Sequence, residues 1–506
     1  MANLPTLNNV LSNISSAQVE ADRCGLSVGC LRLDSREIEA GDTFVAVEGY
    51  INDGRIYIPT AIDHGATLIF AEANNSEEFR QLYQEIAQDK IIWIENLRDQ
   101  LSEIAANYYG HPSSDLKNIA VTGTNGKTSC SYLIAKTLQK MNFECYLMGT
   151  LGIGCCGALR ESANTTADAI TLQKILAEAL NSGAQFSSME ISSHGIHQNR
   201  TTAIKLNTAI FTNLTHDHLD YHGTMENYGA AKRQLFLHPN LKNVVLNMDD
   251  RFARKLSKDD EITATKWLTT TKLPTSGSNL NRWIWAEDVV YSLQGLHAKI
   301  FTPWGSGKLD SPLIGQFNLS NLLLVVAALG SILKDLPLIL NVLKEVKPAE
   351  GRMQTFGNEN TPLVVVDYAH TPDALEQALI AIREHCVGLI WCVFGCGGDR
   401  DSEKRPLMAR VAEKLSNRVI VTMDNPRLES SDKIKQDIFA GFRNNQKAKY
   451  IEDRKLAIEE AIAQAQPGDA ILIAGKGHED YQIIGKEKRF FSDKVICQAA
   501  IEEYQT

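Results

Sequence analysis

From Val121 to Ser129 the chain reads VTGTNGKTS, a set of glycines, a lysine and a threonine suited to phosphate chemistry. In the loop Gly123, Thr124, Asn125, Gly126, Lys127, Thr128 and Ser129, the glycines let backbone N–H groups approach phosphate oxygens. Lys127 can place a cation on the β- and γ-phosphates, and the Thr128 hydroxyl can ligate Mg²⁺. The loop departs from the standard motif at Val121, where a glycine is usual. It specifies ATP or GTP, and no reaction. Glu190 ends a strand-like segment and His218 lies in a loop rich in acidic residues and histidine, so both suit a metal beside phosphates. A second group of polar residues sits in turns: Asp367 in VVVDYAH, Arg400 in GCGGDRD, Asp424, Asn425, Pro426 and Arg427 in MDNPR, and Gly475 to Glu479 in GKGHE. Arginines take carboxylates bidentately while Asp and Glu accept from ammonium groups, so this mixture suits a zwitterionic amino acid.

Such residues need strand ends to hold them. Apolar strands are expected at Thr43 to Val47, Thr67 to Ala71 and Ile91 to Ile94, then at Ile119 to Val121, which runs through the Gly-rich turn into a helix over Thr128 to Lys140. After Pro348 strands are expected at Leu363 to Val366, Leu389 to Phe394, Val419 to Thr422 and Ala470 to Ile473. Strands alternating with helices imply mostly parallel sheets, whose ligands bind outside the carboxyl ends of the strands. The 506 residues exceed one ordinary core. The chain reads as an α/β protein of three domains: a small N-terminal one (1–100), a central P-loop domain with a mostly parallel sheet (101–345), and a Rossmann-like C-terminal one (346–506).

A net charge of −10 argues against a general nucleic-acid binder. The N-terminus lacks a basic and apolar leader, and the apolar stretch from Leu322 to Leu333 reads as too short to span a bilayer. Ten scattered cysteines without C-x-x-C spacing read as free thiols in a reducing compartment, so a cytoplasmic location is expected.

The loop GTNGKT resembles that of the Mur ligase and folylpolyglutamate synthase superfamily. Further motifs occur in order: NTTADA from Asn164, MEISSHGIHQNR from Met189, TNLTHDHLDYHGTMENYGAAK from Thr212, FNLSN from Phe317, GRMQ from Gly351 and DYAHTPDAL from Asp367. They span nearly the whole chain and are most similar to the Mur ligases that add the third peptide residue. The resemblance implies ATP-dependent ligation of meso-diaminopimelate to UDP-N-acetylmuramoyl-L-alanyl-D-glutamate through an acyl phosphate, with UDP, ATP and amino acid held by the three domains in turn. It implies that Glu190 and His218 hold Mg²⁺ with Thr128, and that Lys232 in YGAAK is carbamylated by CO₂; Lys127, Lys232, His218 and Glu190 would form the catalytic set. Leu33, Ser35, Tyr50, Ile51 and Asn52 would contact the UDP end, and Asn164, Thr165, Thr166, Ser192, Gln198 and Arg200 the muramyl dipeptide. Asn318, Arg352, Asp367 and His370 would lie near ATP or between domains, and Arg400, Asp424 to Arg427, Gly475 and Glu479 near the amino acid. DNPR resembles the diaminopimelate-adding members, where Arg427 would neutralise the ligand's second carboxylate. Small-molecule substrates alone, no nucleic acid, no membrane insertion and a monomer are expected. A lysine-adding ligase, a folylpolyglutamate synthase-like ligase and a P-loop ATPase without a ligated product remain alternatives.

Overall fold

The computed structural model describes residues 4–17, 21–49, 52–87, 89–162, 164–274, 280–292 and 295–504; Tyr50 and Ile51, expected at the UDP end, lie outside the described residues. The chain divides into two compact units. One comprises Met1–Ser131, Leu138–Leu246 and Asp250–Lys266, the other Tyr132–Thr137, Asn247–Asp249 and Trp267–Thr506.

The first unit opens with four parallel strands in sequence order, β1 (Leu31–Arg32), β2 (Thr43–Ala46), β3 (Leu68–Glu72) and β4 (Ile91–Ile94). Their side chains alternate between two cores, as the two-residue period of a strand requires. Val45, Phe70, Ile92 and Ile94 pack with Leu97, Leu101 and Ile104 on one face; Phe44, Ala46, Ile69 and Ala71 pack with Ile58 and Ala61 on the other.

The same unit carries β5 (Lys117–Thr122), β6 (Cys145–Gly149), β7 (Gly152–Cys155), β8 (Phe186–Glu190), β9 (Leu206–Phe211) and β10 (Asn243–Asn247). Their order is β10-β9-β5-β8-β6-β7, parallel except for β7. β5 is buried on both faces from Asn118 onward, and its neighbours β8 and β9 end level with it. The turn from β5 into the helix Lys127–Lys140 therefore has the carboxyl end of a strand on either side.

In the second unit β11 (Thr265–Thr270) pairs parallel with β12 (Trp283–Ser292), followed by antiparallel β13 (Gly295–Thr302) and β14 (Gly305–Ser311). The helix Gln316–Leu333 corrects one expectation. It has 18 residues and is long and apolar enough to cross a membrane, although 67% of it is buried inside the protein, as in a core helix. The apolar run starts earlier than Leu322 because Phe317 and Leu319 extend it through the polar-looking FNLSN.

The C-terminal sheet has the order β15-β16-β20-β17-β18-β19, with β15 (Gln354–Phe356) antiparallel and β16 (Leu363–Asp367), β17 (Ile390–Phe394), β18 (Arg418–Val421), β19 (Ala448–Tyr450) and β20 (Ala470–Ala474) parallel. The chain moves outward from β16 through β17, β18 and β19, then returns to insert β20. Right-handed crossovers put the helices made while moving outward on one face and the later ones on the other. Leu375, Met408 and Ile434 accordingly share a core with Val365, Cys392 and Leu472, whereas Ile458 and Cys497 share one with Val364, Val393 and Ile471. The direction of winding reverses at β20, so the crevice for a ligand lies at its carboxyl end, beside those of β16 and β17. The hairpin β21 (Tyr481–Ile484) and β22 (Glu487–Phe490) follows. Three sheets with their helices thus make the three-domain α/β fold, and the expected strands fall within a residue or two of the observed ones.

Candidate active site

The P-loop is shaped by close approach. Gly123 has φ +146°, and a Cβ there would lie 1.9 Å from Thr212 Oγ1 at the end of β9. The loop is tied to that strand end by Thr124 N donating to Asn213 O (2.8 Å) and Asn125 N to Asn213 Oδ1 (2.9 Å). Lys127 Nζ folds back onto its own loop, donating to Gly123 O (2.9 Å) and Thr124 O (2.8 Å). On the other side Thr128 Oγ1 donates to Glu190 Oε2 at 2.8 Å. Glu190 is buried and also accepts from Thr150 N (2.8 Å) and Thr150 Oγ1 (3.3 Å). Gly149 makes room for it, since a Cβ there would sit 2.1 Å from Glu190 Oε1.

Lys232 reaches the same loop from the helix Met225–Arg233. Its side chain is 1% exposed, its Nζ donates to Gly123 O at 3.0 Å and lies 4.5 Å from the centre of the Tyr228 ring. Burial pushes its pKa well below that of an ordinary lysine, and the Lys127 charge adds to the shift against the pull of Asp217.

A hydrogen-bonded chain runs outward from Glu190. Thr150 Oγ1 lies 3.2 Å from Thr165 Oγ1; Thr166 Oγ1 donates to Glu190 O (2.9 Å) and accepts from Ser192 N (2.9 Å). Arg200 donates to Thr166 O (2.6 Å) and, through Nε, to Gln198 Oε1 (3.0 Å). His194, His197, Tyr221 and His222 form an aromatic group beside this chain, with His197 Nδ1 and Gln198 Nε2 both on Tyr221 Oη (3.0 and 3.2 Å).

In the C-terminal domain the turns after β16, β18 and β20 meet. Gly351 and Gly477 touch: a Cβ on Gly351 would lie 2.0 Å from Gly477 C, and one on Gly477 2.7 Å from Tyr368 Cβ. Asp367 accepts from Met353 N (2.8 Å); burial pushes its carboxyl pKa up, and Arg352 pulls it back. Lys476, fully buried, donates to Asn425 Oδ1 (2.9 Å) and Tyr481 O (2.8 Å), with Asp424 Oδ1 at 3.0 Å and Glu479 Oε2 at 3.8 Å. Asn425 Nδ2 donates to Glu479 Oε2 at 3.0 Å. Arg427 Nη1 donates to Gly398 O (2.9 Å), and the place of a Gly397 Cβ lies 2.9 Å from that nitrogen and 3.7 Å from Arg400 Cγ. Beneath these turns Arg454, fully buried, pairs with Asp493 (2.8 and 2.6 Å) and donates to Ala474 O (2.9 Å).

The chain matches the Mur ligase family, catalytic domain, over residues 27–109, the Mur ligase middle domain over 121–329, and the Mur ligase glutamate ligase domain over 351–477. It is 46% identical to a UDP-N-acetylmuramoyl-L-alanyl-D-glutamate--2,6-diaminopimelate ligase of Haemophilus influenzae (strain PittEE) over 466 residues, 92% of this chain and 94% of that one. This chain belongs to the Mur ligase family. A ligase of the same name from Ectopseudomonas mendocina (strain ymp) is 44% identical over 96% of this chain and 97% of its own. A solved structure with that name superposes with a TM-score of 0.73 at 33% identity, covering 99% of this chain and 100% of that one. MurF from Acinetobacter baumannii, at 17% identity and a TM-score of 0.64, shares the fold.

Of the residues expected from the Mur ligase motifs, Thr128, Glu190, Lys127 and Lys232 meet around Gly123, and Thr165, Thr166, Ser192, Gln198 and Arg200 form one network with Glu190. His218 is half-exposed, with Asp217 Oδ2 3.4 Å from its Nε2 and its ring against His194. Among the described residues no three His, Cys, Asp or Glu side chains are grouped to hold a metal. Ser35 is buried, its carbonyl accepting from His64 Nδ1 (2.9 Å); Leu33 is partly buried, and Asn52 and Asn164 are exposed. Asn318 is buried with its amide on Ile314 O (2.8 Å), while Arg400 and His370 are exposed. Sequence reasoning missed Thr150, the His194–Tyr221–His222 group and Lys476. The last stood within the quoted GKGHE, where flanking glycines made it read as part of a turn.

Proposed function

We propose that this chain is an ATP-dependent ligase joining meso-diaminopimelate to the D-Glu γ-carboxylate of UDP-N-acetylmuramoyl-L-alanyl-D-glutamate, a step of peptidoglycan synthesis. The observation that carries the choice of amino acid is Arg427. Its guanidinium donates to one backbone carbonyl, and among the described residues no carboxylate lies within ion-pair distance. A ligand carboxylate would complete it, while Asp424 and Glu479 would accept from the neighbouring ammonium. The curated relatives named as 2,6-diaminopimelate ligases support this reading.

The P-loop would hold ATP, with Lys127 turning from its own loop carbonyls to the β/γ-phosphates. Transfer of the γ-phosphoryl group to the D-Glu carboxylate gives an acyl phosphate and ADP; attack by the amino acid's amine forms the amide and releases phosphate. Thr165, Thr166, Ser192, Gln198 and Arg200 would orient the muramyl dipeptide, and Leu33, Ser35 and Asn52 its UDP end. The hard oxygens of Thr128 and Glu190, 2.8 Å apart, fit magnesium. Lys232, held neutral by burial, would react with CO₂ to give a carbamate and a proton, adding an oxygen ligand, and His218 would complete the set. When bound, the ion neutralises phosphate charge. The assignment of 1–100 to UDP, 101–345 to ATP and 346–506 to the amino acid, a monomeric state and a cytoplasmic setting belong to the same proposal; the free cysteines support the last.

Phosphate release by the purified protein, measured with ATP, UDP-muramyl dipeptide and a panel of amino acids, tests it. Release that needs both the dipeptide and diaminopimelate is expected. Release indifferent to both would leave only an ATPase, and equal use of lysine would overturn the reading of Arg427.

A further inference from the structure

Lys476 stands apart from the residues that face a ligand, because its side chain is fully buried and its ammonium is surrounded by protein oxygens. We propose that Lys476 is a positioning residue that keeps Glu479 ionised and in place, so that the pocket presents one net negative charge to a ligand ammonium. This rests on the proposed amino-acid site.

The argument is one of charge and distance. Asp424 and Glu479 both lie within 3.8 Å of Lys476 Nζ, so two carboxylates share one cation. The triad carries one net negative charge, matching a single ammonium, while Arg427 and Arg400 remain for a carboxylate. Two buried carboxylates without that cation would not both stay ionised. The same Nζ orders the pocket by donating to Asn425 Oδ1, whose amide in turn donates to Glu479, and to Tyr481 O at the start of β21. The groups acting on Glu479 are Asp424, Lys476, the Asn425 amide, Arg427 and the Tyr368 phenol. Burial and Asp424 raise its pKa, against Lys476, Asn425 and Arg427. Glu479 is therefore poised, with Lys476 the cation opposing its protonation at closest range.

The test is the pH dependence of kcat/KM for whichever amino acid of the panel the native enzyme accepts. With Lys476→Met the acid limb should move up by about one to three pH units, the range for loss of a close opposite charge. At pH 7 the apparent KM for the amino acid should rise about tenfold or more while that for ATP stays level. Asp424→Asn, which removes the like charge and leaves Lys476 paired, should move the limb down, and it decides the matter if Lys476→Met does not fold. A limb unmoved in Asp424→Asn, or Lys476→Met lowering kcat and raising every KM alike at an unchanged pH profile, would overturn the proposal. A native enzyme that needs no amino acid for turnover would overturn the functional reading, and this inference with it.

Discussion

Replacing Arg427 separates binding from stability. Its backbone is left-handed, φ +53°, which costs a residue with a Cβ about 1–2 kcal/mol relative to glycine. Its one side-chain hydrogen bond, to Gly398 O, contributes about 1.5–3 kcal/mol as a charged donor, and less where the group is half-exposed. In Arg427→Gly the two terms nearly cancel, so the melting temperature should move by only a few degrees. Binding should change far more. A carboxylate that loses its guanidinium partner in a desolvated site costs about 3–5 kcal/mol, and partial exposure of Arg427 favours the lower end, roughly a hundredfold in affinity. Phosphate release at varied diaminopimelate, ATP and UDP-muramyl dipeptide, with a thermal melt of each variant, reads both quantities. The KM for diaminopimelate should rise about a hundredfold and those for the other two stay near native. A rise below about threefold, under 1 kcal/mol, would show that Arg427 does not meet the ligand's carboxylate.

Other outcomes follow from the same geometry. Lys232→Ala should lose nearly all activity and regain part of it with small carboxylate anions; an active enzyme whose intact mass shows no added CO₂ would contradict the carbamate. Lys127→Ala should abolish ATP-dependent turnover yet bind UDP-muramyl dipeptide by calorimetry as the native protein does, because the lysine bonds only within its own loop among the contacts described above. Glu429 is held at a pKa of about 2 by Arg405, against 4.5 for a free side chain. Its stabilisation is thus fully present above about pH 4.5 and lost as the pH falls toward 2, on the order of 1–2 kcal/mol after allowing for solvent. Urea melts at pH 2.5 and 6 should show a smaller pH difference for Glu429→Gln than for the native chain.

The P-loop was legible because its chemistry is local: glycines, lysine and threonine at fixed spacing after an apolar strand define it whatever surrounds them. The C-terminal strands were legible for the same reason, as continuous apolar runs between turns. Lys232 was not readable from spacing, which makes it a solvated helix lysine; only the approach of its helix to Gly123 buries it, and resemblance alone singled it out. Lys476 escaped because burial comes from the return of β20 into the middle of its sheet, a long-range event. The Gln316–Leu333 helix was misjudged in length because Asn318 and Asn321 look like interruptions, yet their side chains bond within the helix and its approach.

The pair of Arg454 and Asp493 makes the chain's end part of the pocket's foundation. Asp493 opens the last helix, Asp493–Tyr504, and its partner holds the carbonyl of Ala474, the residue before Gly475 and the GKGHE turn. Trimming that helix would remove no group that faces the pocket. It would strand a guanidinium in the interior directly under the turn that carries Glu479, so the damage would register as weakened amino-acid capture before any loss of the nucleotide-binding loop. Extensions beyond Tyr504 carry no such penalty, and an affinity tag belongs after the helix rather than in its place.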